Sequence, residues 1–275
     1  MGRNRVESAS IDWLSPIMKI WLNDSLVEQI VLPSTGSGWL LGDGIFESLR
    51  TYNGVPFALN LHIERLMRSA ERMKFSAPNR DTIEKAVDEV INANDYSPFG
   101  RLRITLLSDS QLIITHIPFM EDKSFIALGR HEFTISSKLA ISGMKTLSYA
   151  ENSLALRIAR DRGFADVVLV NERGEVMESA LANLIWLSDD QWWTPSLTSG
   201  CLPGVTRGLL VENFGVKEGT LAERDLTKVS ALAITSSVRE IVGVERYESN
   251  FYSHSQAVKE LQDSFSAWIL GKLAL

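Results

Sequence analysis

The chain has 275 residues, 45% hydrophobic and 23% charged, an ordinary globular balance long enough for a sizeable core and two domains. Its net charge of -6 gives no electrostatic case for nucleic acid, and no stretch approaches the roughly 20 apolar residues of a membrane helix. One cysteine, Cys201, excludes an intrachain disulfide and suits a reducing cytosol, and the four histidines (His62, His116, His131, His254) show no metal-ligand spacing. A cytoplasmic location, without metal, membrane or nucleic acid, is therefore expected.

Residues 1–17 read as a polar extension without the long apolar core of a secretory signal. A small α+β domain is expected over 18–120. It opens with a hairpin, Met18–Leu22 and Leu26–Leu32, turning at Asn-Asp. Gly36, Gly38, Gly42 and Gly44 punctuate a loop. Phe46–Tyr52 and Val55–Leu59 flank Asn53-Gly54, a strong hairpin signal. Asn60 is placed to cap a helix carrying Ile63, Leu66, Met67, Ala70 and Met73. Asp81 and Glu84 match a capping box for a second helix, reaching Asn92. Leu102–Leu107 and Leu112–His116 read as strands.

A polar, irregular link is expected over 121–138 and a larger α+β domain over 139–275. That domain starts with a helix from Ala150 to Arg162, stopped by Gly163. Strands Val167–Val170 and Glu175–Met177 enclose an N-E-R-G turn. Strands Leu184–Leu187 and Trp192–Trp193 enclose Asp189-Asp190. A helix follows Pro203, Leu232–Ser236 reads as a strand, and a last helix runs from Ser255 to Leu270. Strands and helices come in runs rather than strict alternation, which favours α+β over a doubly wound sheet.

Lys145 precedes the Ala150 helix, and Glu178 follows the strand ending at Met177. A desolvated lysine amine can form a Schiff base with an aldehyde cofactor. A carboxylate facing a pyridinium nitrogen keeps that ring electron-withdrawing. A surface lysine and a turn glutamate would give the same spacing. The Pro203-Gly204-Val205-Thr206 turn ahead of a helix offers free N–H groups, a favourable dipole and a hydroxyl to a phosphate, or is an ordinary helix start.

Four ordered blocks carry more: L-G-D-G-I-F-E-S-L-R, H-I-E-R-L-M-R-S-A, the Ser142–Leu187 segment and G-C-L-P-G-V-T-R. Over roughly residues 18 to 250 the chain resembles the fold-type IV pyridoxal phosphate enzymes, which include aminotransferases of class IV and aminodeoxychorismate lyases. The resemblance implies the two-domain α+β fold typified by D-amino acid aminotransferase. It implies pyridoxal 5′-phosphate as cofactor and Lys145 as its Schiff-base lysine. Glu178 then pairs with the ring nitrogen. Arg65, Val205, Thr206, Ser236 and Ser237 hold the phosphate. On a helical wheel, however, Arg65 sits off the apolar stripe, as a solvated arginine would.

Arg103, alternating with Arg101 on one strand face, stands where some relatives hold the substrate carboxylate, although structural salt bridging would use it equally. Tyr149 is a second substrate candidate. The family also implies a homodimer whose partner completes the active site. K-T-L-S-Y-A-E-N and T-S-G-C-L-P-G-V-T-R look most like lyase-type sequences. The expected reaction is conversion of 4-amino-4-deoxychorismate to 4-aminobenzoate and pyruvate, in folate synthesis. The alternatives are an aminotransferase for branched-chain or D-amino acids and a non-catalytic cofactor binder. Two departures from the pattern stand out. Ser179 replaces the glycine after the glutamate, and the short Leu107–Gln111 loop lacks an arginine.

Overall fold

The computed structural model describes residues 18–32, 34–94 and 97–273, so the expected extension over 1–17 lies outside the described residues. β1 (Ile20–Leu22) and β2 (Ser25–Val27) form the first hairpin, turning at Asn23 with φ 53°. The return strand stops at Val27 rather than Leu32, since β1 has no further residues to pair with it. α1 (Ser37–Leu40) lies in the glycine loop, and β3 (Gly44–Tyr52) starts at Gly44 rather than Phe46. Asn53 and Gly54 both take positive φ, 50° and 82°, as a two-residue hairpin turn requires.

β4 (Val55–Pro56) is brief, because proline brings no N–H to a ladder and the chain then turns left-handed at Ala58, φ 55°. Ala58, not Asn60, is the N-cap of α2 (Leu59–Met73); Asn60 sits inside the first turn. In α3 (Arg80–Asn92) the cap is Asn79, whose side chain accepts from Thr82 N at 2.8 Å. The expected capping box is displaced by that bond, and Asp81 serves the first turn. β5 (Phe99–Leu107) and β6 (Leu112–Pro118) complete an antiparallel six-stranded sheet, ordered β2-β1-β6-β5-β3-β4. α2 and α3 bury Ile63, Leu66, Ile83 and Val87 against Leu49, Leu102 and Ile104 of this sheet.

The expected irregular link contains β7 (Ile126–Ile135). Its exposed Arg130, Glu132 and Thr134 disguise it, and parallel pairing on both edges makes it a strand. Then follow α4 (Ala150–Asp161), β8 (Asp166–Asn171), β9 (Val176–Ser179), β10 (Asn183–Ser188) and β11 (Gln191–Pro195). α5 (Val205–Asn213), β12 (Lys217–Gly219), β13 (Ala231–Ser236), β14 (Glu240–Tyr247), β15 (Asn250–Phe251) and α6 (Ser255–Leu273) end the chain. β14 was not expected, although its I-V-G-V run carries a strand signal.

The second sheet is mixed and nine-stranded, ordered β12-β11-β10-β13-β14-β7-β8-β9, with β15 beside β14. α5 and α6 cover one face, burying Leu209, Leu210, Val258 and Phe265 against Ile185, Ala233 and Ile241. Among the described residues no helix is long and apolar enough to cross a membrane.

β3 joins the two sheets. Its first residues bond the lysine segment, Leu147 N to Gly44 O at 2.8 Å and Phe46 N to Lys145 O at 2.9 Å. Further along the strand, Arg50 N donates to Ser237 O at 3.0 Å. One strand therefore ties the lysine segment at one end and the turn after β13 at the other.

Candidate active site

Lys145 leaves the 139–144 turns in an extended stretch, and its backbone bond to β3 aims the side chain along Phe46. The Nζ atom lies 4.6 Å from the Phe46 ring centroid and 5.8 Å from that of Tyr149. Loss of hydration, with Arg65 nearby, pushes its amine down to about 8, against the opposing pull of Glu47 and Glu178. Such an amine is largely neutral at mildly alkaline pH and so nucleophilic.

Glu178 stands on β9. Its Oε2 accepts from Leu202 N at 3.0 Å and from Asn183 Nδ2 at 3.2 Å. Desolvation pushes this carboxyl up to about 7, although the Leu202 amide and Lys145 favour its charge. It is poised to ionise fully when a cation arrives. Asn183 opens β10 and also donates to Leu202 O at 2.8 Å, so one amide joins the glutamate to the loop before α5. A Cβ on Gly204 would lie 1.9 Å from Asn183 Oδ1, so this approach to the helix start requires glycine.

Gly204 caps α5 without a side-chain bond, which leaves the first-turn N–H groups of Val205 and Thr206 uncapped at the helix start. Thr206 Oγ1 lies 3.2 Å from Ser237 Oγ. Ser236 Oγ accepts from Arg239 N at 3.2 Å within its own turn.

Arg65 is 6% exposed, which overturns the helical-wheel reading of a solvated side chain. Its Nε and Nη2 grip Glu47 in a two-pronged pair, and its Nη1 donates to Pro203 O at 3.0 Å, beside the α5 N-terminus. Burial opposes the Glu47 charge, but Arg65 and His62 overcome it and hold the carboxyl down to about 2. His62 Nδ1 lies 2.7 Å from Glu47 Oε2. The off-stripe position is thus explained by a buried counter-ion on β3, invisible on a wheel of α2 alone.

Arg103 stacks on the same Phe46 ring at 3.7 Å, and its Nε donates to Thr105 Oγ1 at 3.2 Å. Among the described residues no carboxylate lies within ion-pair distance of it, so the alternative of a structural salt bridge fails. Burial and then the neighbouring Arg101 lower its proton affinity. The Tyr149 hydroxyl donates to Ala180 O at 3.1 Å, and its ring meets Phe46 edge-on at 5.7 Å. Burial, then the Glu178 charge, raises the phenol well above its usual range. Cys201 is buried, and desolvation lifts its thiol to about 11, which suits an inert side chain.

Thus Lys145, Glu178, Arg65, Arg103 and Tyr149 lie close enough to influence one another's charge, and Arg65 and Glu178 bond the Leu202–Pro203 loop that leads into Val205 and Thr206. Phe46, Glu47, His62 and Asn183 belong with them and were not anticipated. The F-E pair of L-G-D-G-I-F-E-S-L-R, the first residue of H-I-E-R-L-M-R-S-A and the last residue of E-S-A-L-A-N carried them in plain sight.

A desolvated amine, a buried carboxylate and an uncapped helix start thus come together between the two sheets. The chain belongs to the amino-transferase class IV family, whose profile matches residues 44–247. It is 28% identical over 275 residues to the aminodeoxychorismate lyase of Bacillus subtilis (strain 168), covering 88% of this chain and 92% of that one. It is 25% identical to a D-alanine aminotransferase of Listeria innocua, covering 82% and 86%. The branched-chain aminotransferase of Thermoproteus uzoniensis superposes with a TM-score of 0.86 at 22% identity, covering 93% of this chain and 95% of that one, which shows the shared fold. The α+β architecture is that of the fold-type IV enzymes, and the family depends on pyridoxal 5′-phosphate. The residues present fit that group: the α5 start has no side-chain cap over its first-turn N–H groups, and the amine carries no hydrogen-bond partner among the described residues.

Proposed function

We propose that this chain is a pyridoxal phosphate-dependent lyase that converts 4-amino-4-deoxychorismate to 4-aminobenzoate and pyruvate. The observation that carries the reading is the Arg101–Arg103 pair on β5. Both cations alternate on the strand face bearing Phe46 and Ser48, and neither has a carboxylate partner among the described residues. Arg101 is exposed, but Arg103 is half-buried, and a half-buried cation without a counter-ion favours an anionic ligand. The proposed substrate carries two carboxylates, whereas a branched-chain amino acid brings one carboxylate and an apolar tail. The likeness to the Bacillus subtilis lyase points the same way.

When bound, the cofactor supplies an aldehyde that takes the substrate amine and a ring that withdraws electrons. In this reading Lys145 carries it, and Glu178 faces its ring nitrogen. Arg65, Val205, Thr206 and Ser237 hold the phosphate, and Ser236 supports the turn that presents Ser237. Lys145 Nζ moves the proton at the substrate carbon. Tyr149 closes one side of the cleft, and Arg103 orients a substrate carboxylate.

The direct test supplies the purified, cofactor-loaded protein with 4-amino-4-deoxychorismate and measures 4-aminobenzoate and pyruvate in equal amounts. D- and L-amino acids with a keto acid are supplied separately. New amino acid without 4-aminobenzoate would replace the lyase by an aminotransferase, the reading favoured by the D-alanine aminotransferase match. Bound cofactor with neither product would leave a non-catalytic binder.

The chain is further proposed to act as a homodimer. Val31, Leu40 and Leu41, all well exposed, cluster in sequence just before β3, the strand that ties the lysine segment. Sedimentation is expected to give twice the chain mass, consistent with an interface of about 1,600 Å2. A fully active monomer at micromolar concentration would refute it.

A further inference from the structure

Arg50 lies on the same face of β3 as Phe46 and Ser48, opposite Arg101, and is 1% exposed. Its backbone N–H donates to Ser237 O at 3.0 Å, and its Nε donates to Val238 O at 2.7 Å. Its Nη1 reaches Glu240 Oε1 at 2.8 Å and Glu121 Oε1 at 2.6 Å. One residue thus grips three positions of the turn between β13 and β14. The rings of Tyr52, Phe99 and Phe119 surround the guanidinium at 5.5, 5.0 and 4.9 Å, so it has little freedom to move.

The turn has a reason to need this grip. Glu240 sits at φ 57°, a conformation that L side chains seldom adopt and that has a free-energy cost. Its carboxylate is fully engaged, with Oε1 accepting from Arg50 and Tyr52 and Oε2 from Ser266 of α6. The ion pair therefore offsets the strain, and the strained turn presents Ser237 Oγ to Thr206 Oγ1.

We infer that Arg50 is a positioning residue: through Glu240 and the two turn carbonyls it holds Ser237 against Thr206, and so sets the protein's preference for a phosphorylated cofactor. The inference rests on the reading that Thr206 and Ser237 hold the phosphate. Lysine at position 50 would keep the charge but could not reach the carbonyl and the carboxylate together.

The test uses the cofactor-free full-length protein, titrated separately with pyridoxal 5′-phosphate and with pyridoxal and followed by absorbance. The readout is the ratio of the two dissociation constants. Arg50→Lys should reduce the preference for the phosphorylated form by about tenfold, with pyridoxal affinity held within about threefold. Glu240→Gln should act in the same direction by about threefold, and it decides the matter if Arg50→Lys does not fold. A merely structural role would weaken both ligands alike, and that result, or an unchanged ratio, would overturn the inference. The Thr206→Ala/Ser237→Ala double variant separates the premises. An unchanged ratio there would sink the phosphate reading itself. A reduced ratio there beside wild-type ratios in Arg50→Lys and Glu240→Gln would sink only the role of Arg50.

Discussion

Lys145→Ala is expected to lower turnover by about four orders of magnitude while the protein still folds, because it removes both the cofactor-bearing amine and the proton-moving base. The fold should survive, since the Lys145 contribution to β3 is its backbone carbonyl, which alanine keeps. The Nζ is desolvated and lies over an aromatic ring, so its removal relieves a burial cost. Melting temperature and turnover, measured on one preparation, separate these effects. In the wild type, borohydride reduction and peptide mapping should place the pyridoxyl group on Lys145. Labelling of the cofactor-free protein by a simple aldehyde should rise as pH passes about 8, where this amine loses its proton and ordinary lysines have not. A pyridoxyl group on another lysine, or a variant with residual activity near wild type, would remove Lys145 from its proposed role.

Glu178→Gln is expected to reduce turnover about 100-fold, equivalent to about 2.7 kcal/mol of transition-state stabilisation, with cofactor still bound. The amide oxygen can keep the bonds from Leu202 N and Asn183 Nδ2, so the shape of the cleft persists. A neutral amide, however, does not stabilise a ring-nitrogen proton as an anion does. Stability supplies a second readout. The carboxyl at about 7 in the fold lies above its ordinary 4.5, so the folded state loses stability as pH rises from 4.5 towards 7. At pH 8 that penalty is fully present in the wild type and absent in the variant. The cofactor-free variant should therefore melt no lower than wild type at pH 8. Near-normal turnover with bound cofactor would return Glu178 to a structural role.

Much of this cleft is legible without coordinates. The Asn53-Gly54 turn, the α2 and α6 stripes and the glycine before α5 follow from local rules, because each depends on neighbours within one turn or hairpin. Lys145, Glu178, Thr206 and Ser237 are legible by resemblance, since their blocks keep order and spacing. What local rules missed has one pattern. β7 has polar outer residues and becomes a strand only by pairing with β8 and β14 on both edges. Asn60 and Asp81 look like caps, yet the helices start earlier, where Ala58 turns left-handed and Asn79 bonds Thr82.

The amino-acid sequence by itself determined the family and the cofactor class, and singled out Lys145 and Glu178 for the proposed roles, because these are carried by residue identity at fixed spacing. Only the tertiary structure decided how they are held. Arg65 is one of several polar residues on the amphipathic α2, and nothing local distinguishes a solvated guanidinium from one buried against Glu47. Arg50 likewise acquires its partners from Glu121, Val238 and Glu240, far along the chain. Ser236 and Ser237 are neighbours of one chemistry, yet one closes its own turn and the other meets Thr206. In each case the deciding free energy is that of burying a polar or charged group, which depends on the partners the fold brings to it rather than on the residues beside it in sequence.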